Sequence, residues 1–238
     1  MKITKVSLLC GVLLASFSAG ALAQNEWGNN ADQGPYLELQ YGRSQLRDHS
    51  FNIPGGRITT GSEHGDVGLL SFGYEFGNWG FGSLRAEAEL GYRENGVKSQ
   101  AFTPAGLTGK LGLNNPFGHT QAWSVMFNIL NDFRPGTGFD PYVGVGVGYA
   151  RVDFHHYGAN PLNVAGATTG TTFIDDANGQ PAYQGIVGFR SQLTDTLAFD
   201  LNWRYFATRN LHLRDTAGDR ISSTYKTSQI LVGLVWTY

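Results

Sequence analysis

Eight stretches of about ten residues step between apolar and polar side chains, and this period-two alternation constrains the chain more than any other feature. Successive side chains of a strand point to opposite faces, so each stretch reads as a β-strand with two unlike faces. The third is the clearest: Leu84, Ala86, Ala88, Leu90 and Tyr92 share one face, and Arg85, Glu87, Glu89, Gly91 and Arg93 the other. Strand one, Tyr36 to Arg43, sets Leu37, Leu39 and Tyr41 against Glu38, Gln40 and Gly42. Strand two, Val67 to Gly77, sets Leu70, Phe72, Tyr74 and Phe76 against Ser71, Gly73 and Glu75. Strand four, Gln121 to Phe133, sets Trp123, Val125, Phe127 and Ile129 against Ser124, Met126 and Asn128.

The second half continues the pattern. Strand five, Tyr142 to Val152, places Val143, Val145, Val147 and Tyr149 opposite Gly144, Gly146 and Gly148. Strand six, Tyr183 to Leu193, places Tyr183, Val187 and Phe189 opposite Gln184, Gly188 and Arg190. Strand seven sets Leu197, Phe199, Leu201, Trp203 and Tyr205 against Asp200, Asn202 and Arg204. Strand eight, Lys226 to Tyr238, sets Ile230, Val232, Leu234, Trp236 and Tyr238 against Thr227, Gln229 and Gly233. No segment sustains helical periodicity.

The connections alternate in length. After strands two, four and six they are short: Asn78 to Gly80, Arg134 to Asp140, and Thr194 to Thr196. After strands one, three, five and seven they are long: Ser44 to Asp66, Asn95 to Thr120, Asp153 to Ala182, and Thr208 to Tyr225. Short turns on one side and long loops on the other are the layout of a barrel crossing an outer membrane. The expected fold is therefore an all-β, eight-stranded antiparallel up-and-down transmembrane barrel. It has four long extracellular loops and short periplasmic turns, and strand eight closes on strand one near Tyr36 to Tyr41.

Energy decides which face meets lipid. An arginine at the bilayer midplane costs roughly 2–4 kcal/mol on the lipid side of a barrel, and an acidic residue somewhat less. The lumen is thus expected to hold Glu38, Glu75, Arg85, Glu87, Glu89, Arg93, Arg190, Asp200 and Arg204. A closed barrel also pairs every backbone N–H and C=O, as hydrocarbon requires. A soluble lipocalin-type barrel alternates too. The leader, the aromatic strand ends and the mid-strand charges favour the membrane.

The first residues fit export. Lys2 and Lys5 precede an apolar core from Val6 to Leu14, and Ala21-Leu22-Ala23 fits a small-residue cleavage site. Residues 1–23 are expected to be a cleaved signal peptide and 24–238 the barrel domain. The apolar run is shorter than the roughly 20 residues of a membrane-spanning helix. Cys10 is the one cysteine and lies in the leader, so the mature chain is expected to carry no disulfide and no cysteine metal site. Losing Lys2 and Lys5 takes the net charge from −2 to −4, which argues against a nucleic-acid partner. Only 15% of residues are charged, while 33 glycines and 13% aromatics suit a barrel with aromatic girdles.

The order of Pro141-Tyr142-Val143-Gly144-Val145-Gly146-Val147-Gly148-Tyr149, Ala182-Tyr183-Gln184-Gly185, Leu193-Thr194-Asp195-Thr196-Leu197-Ala198-Phe199-Asp200 and Trp203-Arg204-Tyr205-Phe206 resembles the OmpA-like and opacity-type small outer-membrane barrels over essentially the whole mature chain. The resemblance implies outer-membrane lipid and lipopolysaccharide around the wall. It also implies the barrel-assembly machinery as a partner during insertion, reading Gly233, Trp236 and terminal Tyr238; Leu231 stands where that signal usually has a polar residue. With the last strand running to Tyr238, no downstream peptidoglycan-binding domain of the kind some OmpA-like proteins carry is expected.

Candidate chemistry is sparse. The inward charges read as an interior plug, because the lumen of an eight-stranded barrel is just wide enough for side chains to fill. A solute path is the alternative. His155 and His156 sit together just past strand five; adjacent residues on an extended chain point oppositely, so they make a poor shared metal site and read as a plain loop pair. Asp175-Asp176-Ala177-Asn178-Gly179 is a fragment of a calcium-loop pattern lacking its other ligands, and Asn178-Gly179 reads as a turn. His212 with Ser222 or Ser223 evokes a hydrolase, but a Ser/His pair without an orienting acid is a weak signal. No catalytic, cofactor-binding or metal residues are therefore assigned. Three function classes remain: a structural or adhesin-like surface barrel with a host or matrix ligand at its loops, a narrow porin-like channel, and a lipid A-modifying enzyme.

One pair tests the register. Around the Asp195 turn, cross-strand partners should sum to about 390, which sets Arg190 opposite Asp200 on the inward face and predicts a hydrogen bond between them.

Overall fold

The computed structural model describes residues 33–53, 55–78, 82–133, 139–160, 171–214, 218 and 220–238, and for 52, 53, 78, 114, 160, 171, 173 and 220 the backbone only. The expected leader, 1–23, lies outside these residues. Eight long strands form the wall: β1 (Gly34–Leu46), β2 (His64–Asn78), β3 (Ser83–Pro104), β4 (Asn114–Asp132), β5 (Asp140–Asn160), β6 (Thr171–Thr194), β7 (Leu197–Thr208) and β8 (Lys226–Thr237). Each pairs antiparallel with its sequence neighbour, and β1 pairs with β8 from Tyr36↔Thr237 to Leu46↔Thr227. The sheet is thereby a closed ring of eight.

The alternation explains the wall. Leu39, Tyr41, Phe72, Tyr74, Leu90, Trp123, Phe127, Val145, Tyr149, Trp203, Ile230 and Val232 are exposed on the outside, while Glu38, Gln40, Ser71, Glu87, Glu89, Asn128, Asp200 and Gln229 are buried inside. Such an outer face would be an aggregation surface in water, and in hydrocarbon it is the favourable one. From Trp123 on β4 to Phe133, one residue past its end, the outer face is apolar except for Asn131 and spans about 33 Å along the chain at 3.3 Å per residue. With the usual tilt of about 40°, that gives roughly the 25 Å apolar band of an outer-membrane barrel.

The long connections fall where the sequence places them, but much of their length is strand. β3 runs on to Pro104, β5 to Asn160, and β6 begins at Thr171, so the wall continues well above the apolar band. Two short hairpins, His49–Ile53 with Gly56–Ser62 and Leu211–Arg214 with Arg220–Ser223, lie in the β1–β2 and β7–β8 connections. The expected Asn178-Gly179 turn is corrected. Both residues sit inside β6, paired with Val152 and Arg151, because the β5 partner continues opposite them and offers a full ladder of hydrogen bonds.

β5 also carries a bulge. Its pairing with β4 passes from His119↔His155 to Phe117↔Gly158, three residues against two, and its pairing with β6 slips at the same place. His156 has φ 50, the left-handed conformation that such an extra residue can adopt.

Candidate functional site in the lumen

Inward glycines make room for large side chains. A Cβ on Gly73 would stand 2.2 Å from the Tyr36 ring, and one on Gly188 would stand 2.7 Å from Tyr142. A Cβ on Gly146 would meet the Asn128 amide oxygen at 2.0 Å. At these positions of β2, β5 and β6 the inward face is left empty, and the neighbours' rings and amides fill the space.

All nine lumen residues expected from sequence are buried in the structure. Arg85 forms a two-pronged pair with Asp132, Nε to Oδ2 at 2.6 Å and Nη2 to Oδ1 at 2.8 Å, and Nη1 reaches Glu87 at 3.1 Å. The Tyr36 hydroxyl donates to Glu87 at 2.6 Å. Glu89 accepts from Arg204 and from Asn128 (2.9 Å) and Gln184 (3.2 Å), with Arg93 3.8 Å away. Arg204 in turn donates to Gln40 (2.7 Å) and Asn202 (2.9 Å). Glu75 accepts from Ser83 at 2.6 Å. Arg93 donates to Ser124 at 2.7 Å and lies over the Phe206 ring at 4.1 Å.

Arg190 and Asp200 are direct cross-strand partners on the inward face, as the turn arithmetic requires. Their expected hydrogen bond is corrected to a looser ion pair, with Nε and Oδ2 4.0 Å apart. Asp200 Oδ1 already accepts from Gln40, Tyr142 and Asn202. Arg190 is shared with Glu38 at 3.6 Å and lies over the Tyr36 ring at 5.0 Å. The sum of 390 holds from Ala198 upward and slips at Leu197, where the pairing becomes Leu197↔Thr194.

Several members of the network go beyond the sequence reading. Asp132 is the missing partner of Arg85; carrying strand four's parity past Asn128 would have reached it. Tyr36 and Tyr142 face inward into the charge network, although the aromatics that the sequence reading assigned to a face lie on the lipid side. Among the described residues, the buried charges are six carboxylates (Glu38, Glu75, Glu87, Glu89, Asp132, Asp200) and four guanidiniums (Arg85, Arg93, Arg190, Arg204).

Above Arg93 the interior changes character. Leu46, Phe51, Met126, Val152, Phe154, Tyr157, Phe206, Leu211, Leu213, Ile221 and Tyr225 form one buried apolar cluster drawn from the upper wall and from both hairpins. His49 is buried there, edge-on to Phe51 at 5.0 Å and beside Phe154 and Tyr157 at 5.8 Å. Burial pushes its imidazole down to about 4. The lumen is thus charged and hydrogen-bonded in its periplasmic part and apolar towards the outer mouth.

The family profile of the outer membrane protein beta-barrel domain matches residues 10–237. The chain belongs to that family. It is an outer-membrane β-barrel protein, with the apolar wall in lipid and the charge network inside. Among solved structures, this barrel is similar to OprG from Pseudomonas aeruginosa, at 15% identity over 87% of this chain and 98% of that one, TM-score 0.52. It is also similar to the Neisserial surface protein A, at 13% identity over 86% and 97%, TM-score 0.50. The Escherichia coli outer membrane protease OmpT matches at 9% identity over 85% and 97%, TM-score 0.47. No curated protein matches by sequence.

The remaining candidates lie on the outer part of this outer-membrane barrel. His212 and Ser222 are cross-strand partners on the β7–β8 hairpin, both exposed, and the His212 N–H donates to Asn178 Oδ1 at 3.4 Å. Asp176 Oδ2 accepts from the Arg214 N–H at 2.7 Å and so fastens that hairpin to β6. Gly233 faces the lumen, where a Cβ would meet Gln40 at 2.7 Å. Trp236 is half-buried, and Tyr238 is exposed.

Proposed function

We propose that this protein is a closed surface barrel, non-enzymatic, whose lumen is a structural plug and whose strand extensions above the membrane carry its contacts with an extracellular host or matrix ligand. One observation carries the reading: Glu89 and Arg204, on opposite sides of the ring, meet in the middle of the lumen. A pair that spans the diameter leaves little clear bore in an eight-stranded barrel. The apolar cluster and the two hairpins add a second obstruction towards the outside. The wall then contacts outer-membrane lipid and lipopolysaccharide, and the C-terminal Gly233, Trp236 and Tyr238 are proposed as the signal for the assembly machinery.

Planar-bilayer recording of the purified barrel tests this reading. A plug predicts no sustained single-channel current. Steady conductance in the unmodified protein would replace the plug with a narrow porin-like path, for which the excess of carboxylates would favour cations.

A further inference from the structure

The bulge in β5 changes what the adjacent histidines can do. On a regular strand His155 and His156 would face opposite sides of the wall. Here Phe154 and Tyr157 are both inside, each 1% exposed, so His155 and His156 are both left on the outer surface. His119 is the cross-strand partner of His155, and the two rings stack with centroids 4.9 Å apart and planes 24° apart. The His156 Nε2 lies 3.6 Å from Asp175 Oδ2 on β6. With Glu94 on the outer face of β3, opposite Gln121 and so two residues along from His119, these groups form a staggered row of Glu, His, His, His and Asp across four neighbouring strands. His119 stands four residues beyond Trp123, so the row lies about 13 Å along the strand above that outward tryptophan.

We propose that this row binds a divalent transition-metal ion of the zinc, copper or nickel kind, with His119 and His155 as its nucleus and His156 and Asp175 as further ligands. Imidazole nitrogens select such ions over calcium or magnesium, which take oxygen cages. Glu94 and Asp175 give the row a negative field, and the nearby Arg151 is paired with Asp153 at 3.3 Å. That charge balance suits a cation better than a phosphate. Among the described residues no three such groups already converge on one point. The two stacked rings are the preformed part, since directly opposed residues hold their Cβ atoms about 4.5–5.5 Å apart and ring rotation can aim both nitrogens at one ion. An ion there would tie β4, β5 and β6 together above the membrane.

The test is zinc titration of the folded full-length barrel, stripped with a chelator, by calorimetry in detergent. One zinc ion per chain should bind with micromolar affinity. His119→Gln and His155→Gln should each weaken binding at least about tenfold, because each removes half of the nucleus. His212→Gln, an exposed histidine elsewhere, should leave it unchanged. In the unmodified protein, affinity should also fall by about tenfold or more between about pH 7.5 and about pH 5.5, as protons compete for the imidazoles. Zinc bound no more tightly by the unmodified barrel than by the His119/His155 double variant would overturn the proposal, as would equal loss in His212→Gln.

Discussion

Glu89 on β3 and Arg204 on β7 form an ion pair across the whole width of the barrel, four positions apart on a ring of eight strands. Both side chains are essentially inaccessible to water. Glu89 also accepts from Asn128 and Gln184, and Arg204 also donates to Gln40 and Asn202, so each charge is saturated with partners. A desolvated ion pair stabilises a structure only when its remaining lone pairs and protons are met in this way.

Removing both members should therefore cost less than the two single losses added together. Glu89→Ala leaves Arg204 a buried unpaired charge, with an expected loss of about 3–5 kcal/mol, while Arg204→Ala leaves Glu89 with only Arg93, 3.8 Å away, and should cost somewhat less. The Glu89→Ala/Arg204→Ala double variant should lose clearly less than the two single losses added together. Heat-modifiable gel migration and urea unfolding in detergent check this. Strict additivity would mean the pair does not hold the barrel together.

The lipid-facing assignment predicts an asymmetry between neighbours. Val145, 68% exposed on the outer face, replaced by Arg should destabilise insertion by about 2–4 kcal/mol, the midplane cost for a lipid-facing arginine. Refolding into lipid vesicles at graded urea measures it. A neutral outcome would place Val145 away from hydrocarbon.

The seat under Tyr36 is equally specific. Gly73→Val should overpack the lumen and cost on the order of 1–3 kcal/mol, because the new side chain meets the Tyr36 ring rather than open space. Gly68→Ala, where an added Cβ meets nothing within 4 Å, should be near neutral. Thermal unfolding of the two variants side by side separates close contact from a general dislike of losing glycine.

His49 makes the outer mouth sensitive to acid. Its folded-state value of about 4 lies below the ordinary value of 6.5, so the open form binds the extra proton. The stability it contributes is fully present above pH 6.5 and is lost as pH falls from there towards 4. A difference of that size corresponds to roughly 3 kcal/mol of local stability at neutral pH. Hydrogen exchange at Ser50 to Phe51 should accelerate between about pH 7 and about pH 5 beyond its chemical pH dependence. His49→Phe should remove that excess. Exchange that tracks the intrinsic rate in both proteins would rule out the imidazole as the cause.

The faces of the strands were legible because a two-residue period leaves only two choices, and the cost of an arginine in lipid selects one. The register at Arg190 and Asp200 followed from turn symmetry alone. Their missing hydrogen bond did not, since backbone register fixes which Cβ atoms are near but not which donor reaches Asp200 first; Tyr142, Asn202 and Gln40 do. The β5 bulge was invisible for a related reason. One extra residue leaves the composition of the strand unchanged, yet it turns His156 to the side of His155 and reverses the argument against their cooperation. Likewise, polar sequence near Asp175 to Gly179 looked like loop because its pairing partner, the far end of β5, is distant in the chain.

The cross-lumen contacts also dictate an order of events during assembly. Arg204 is 115 residues from Glu89 and 164 from Gln40, so neither contact exists until the seam between β1 and β8 is about to close. Before that moment the arginines and carboxylates of each hairpin lack their cross-lumen partners, and an open sheet cannot settle into hydrocarbon with them exposed. Insertion and closure are thereby coupled: a partly built wall is penalised until its last strand arrives. Contacts this distant in sequence also carry a large loop-closure entropy, so the chain should be a slow folder that profits from a template for its final strand.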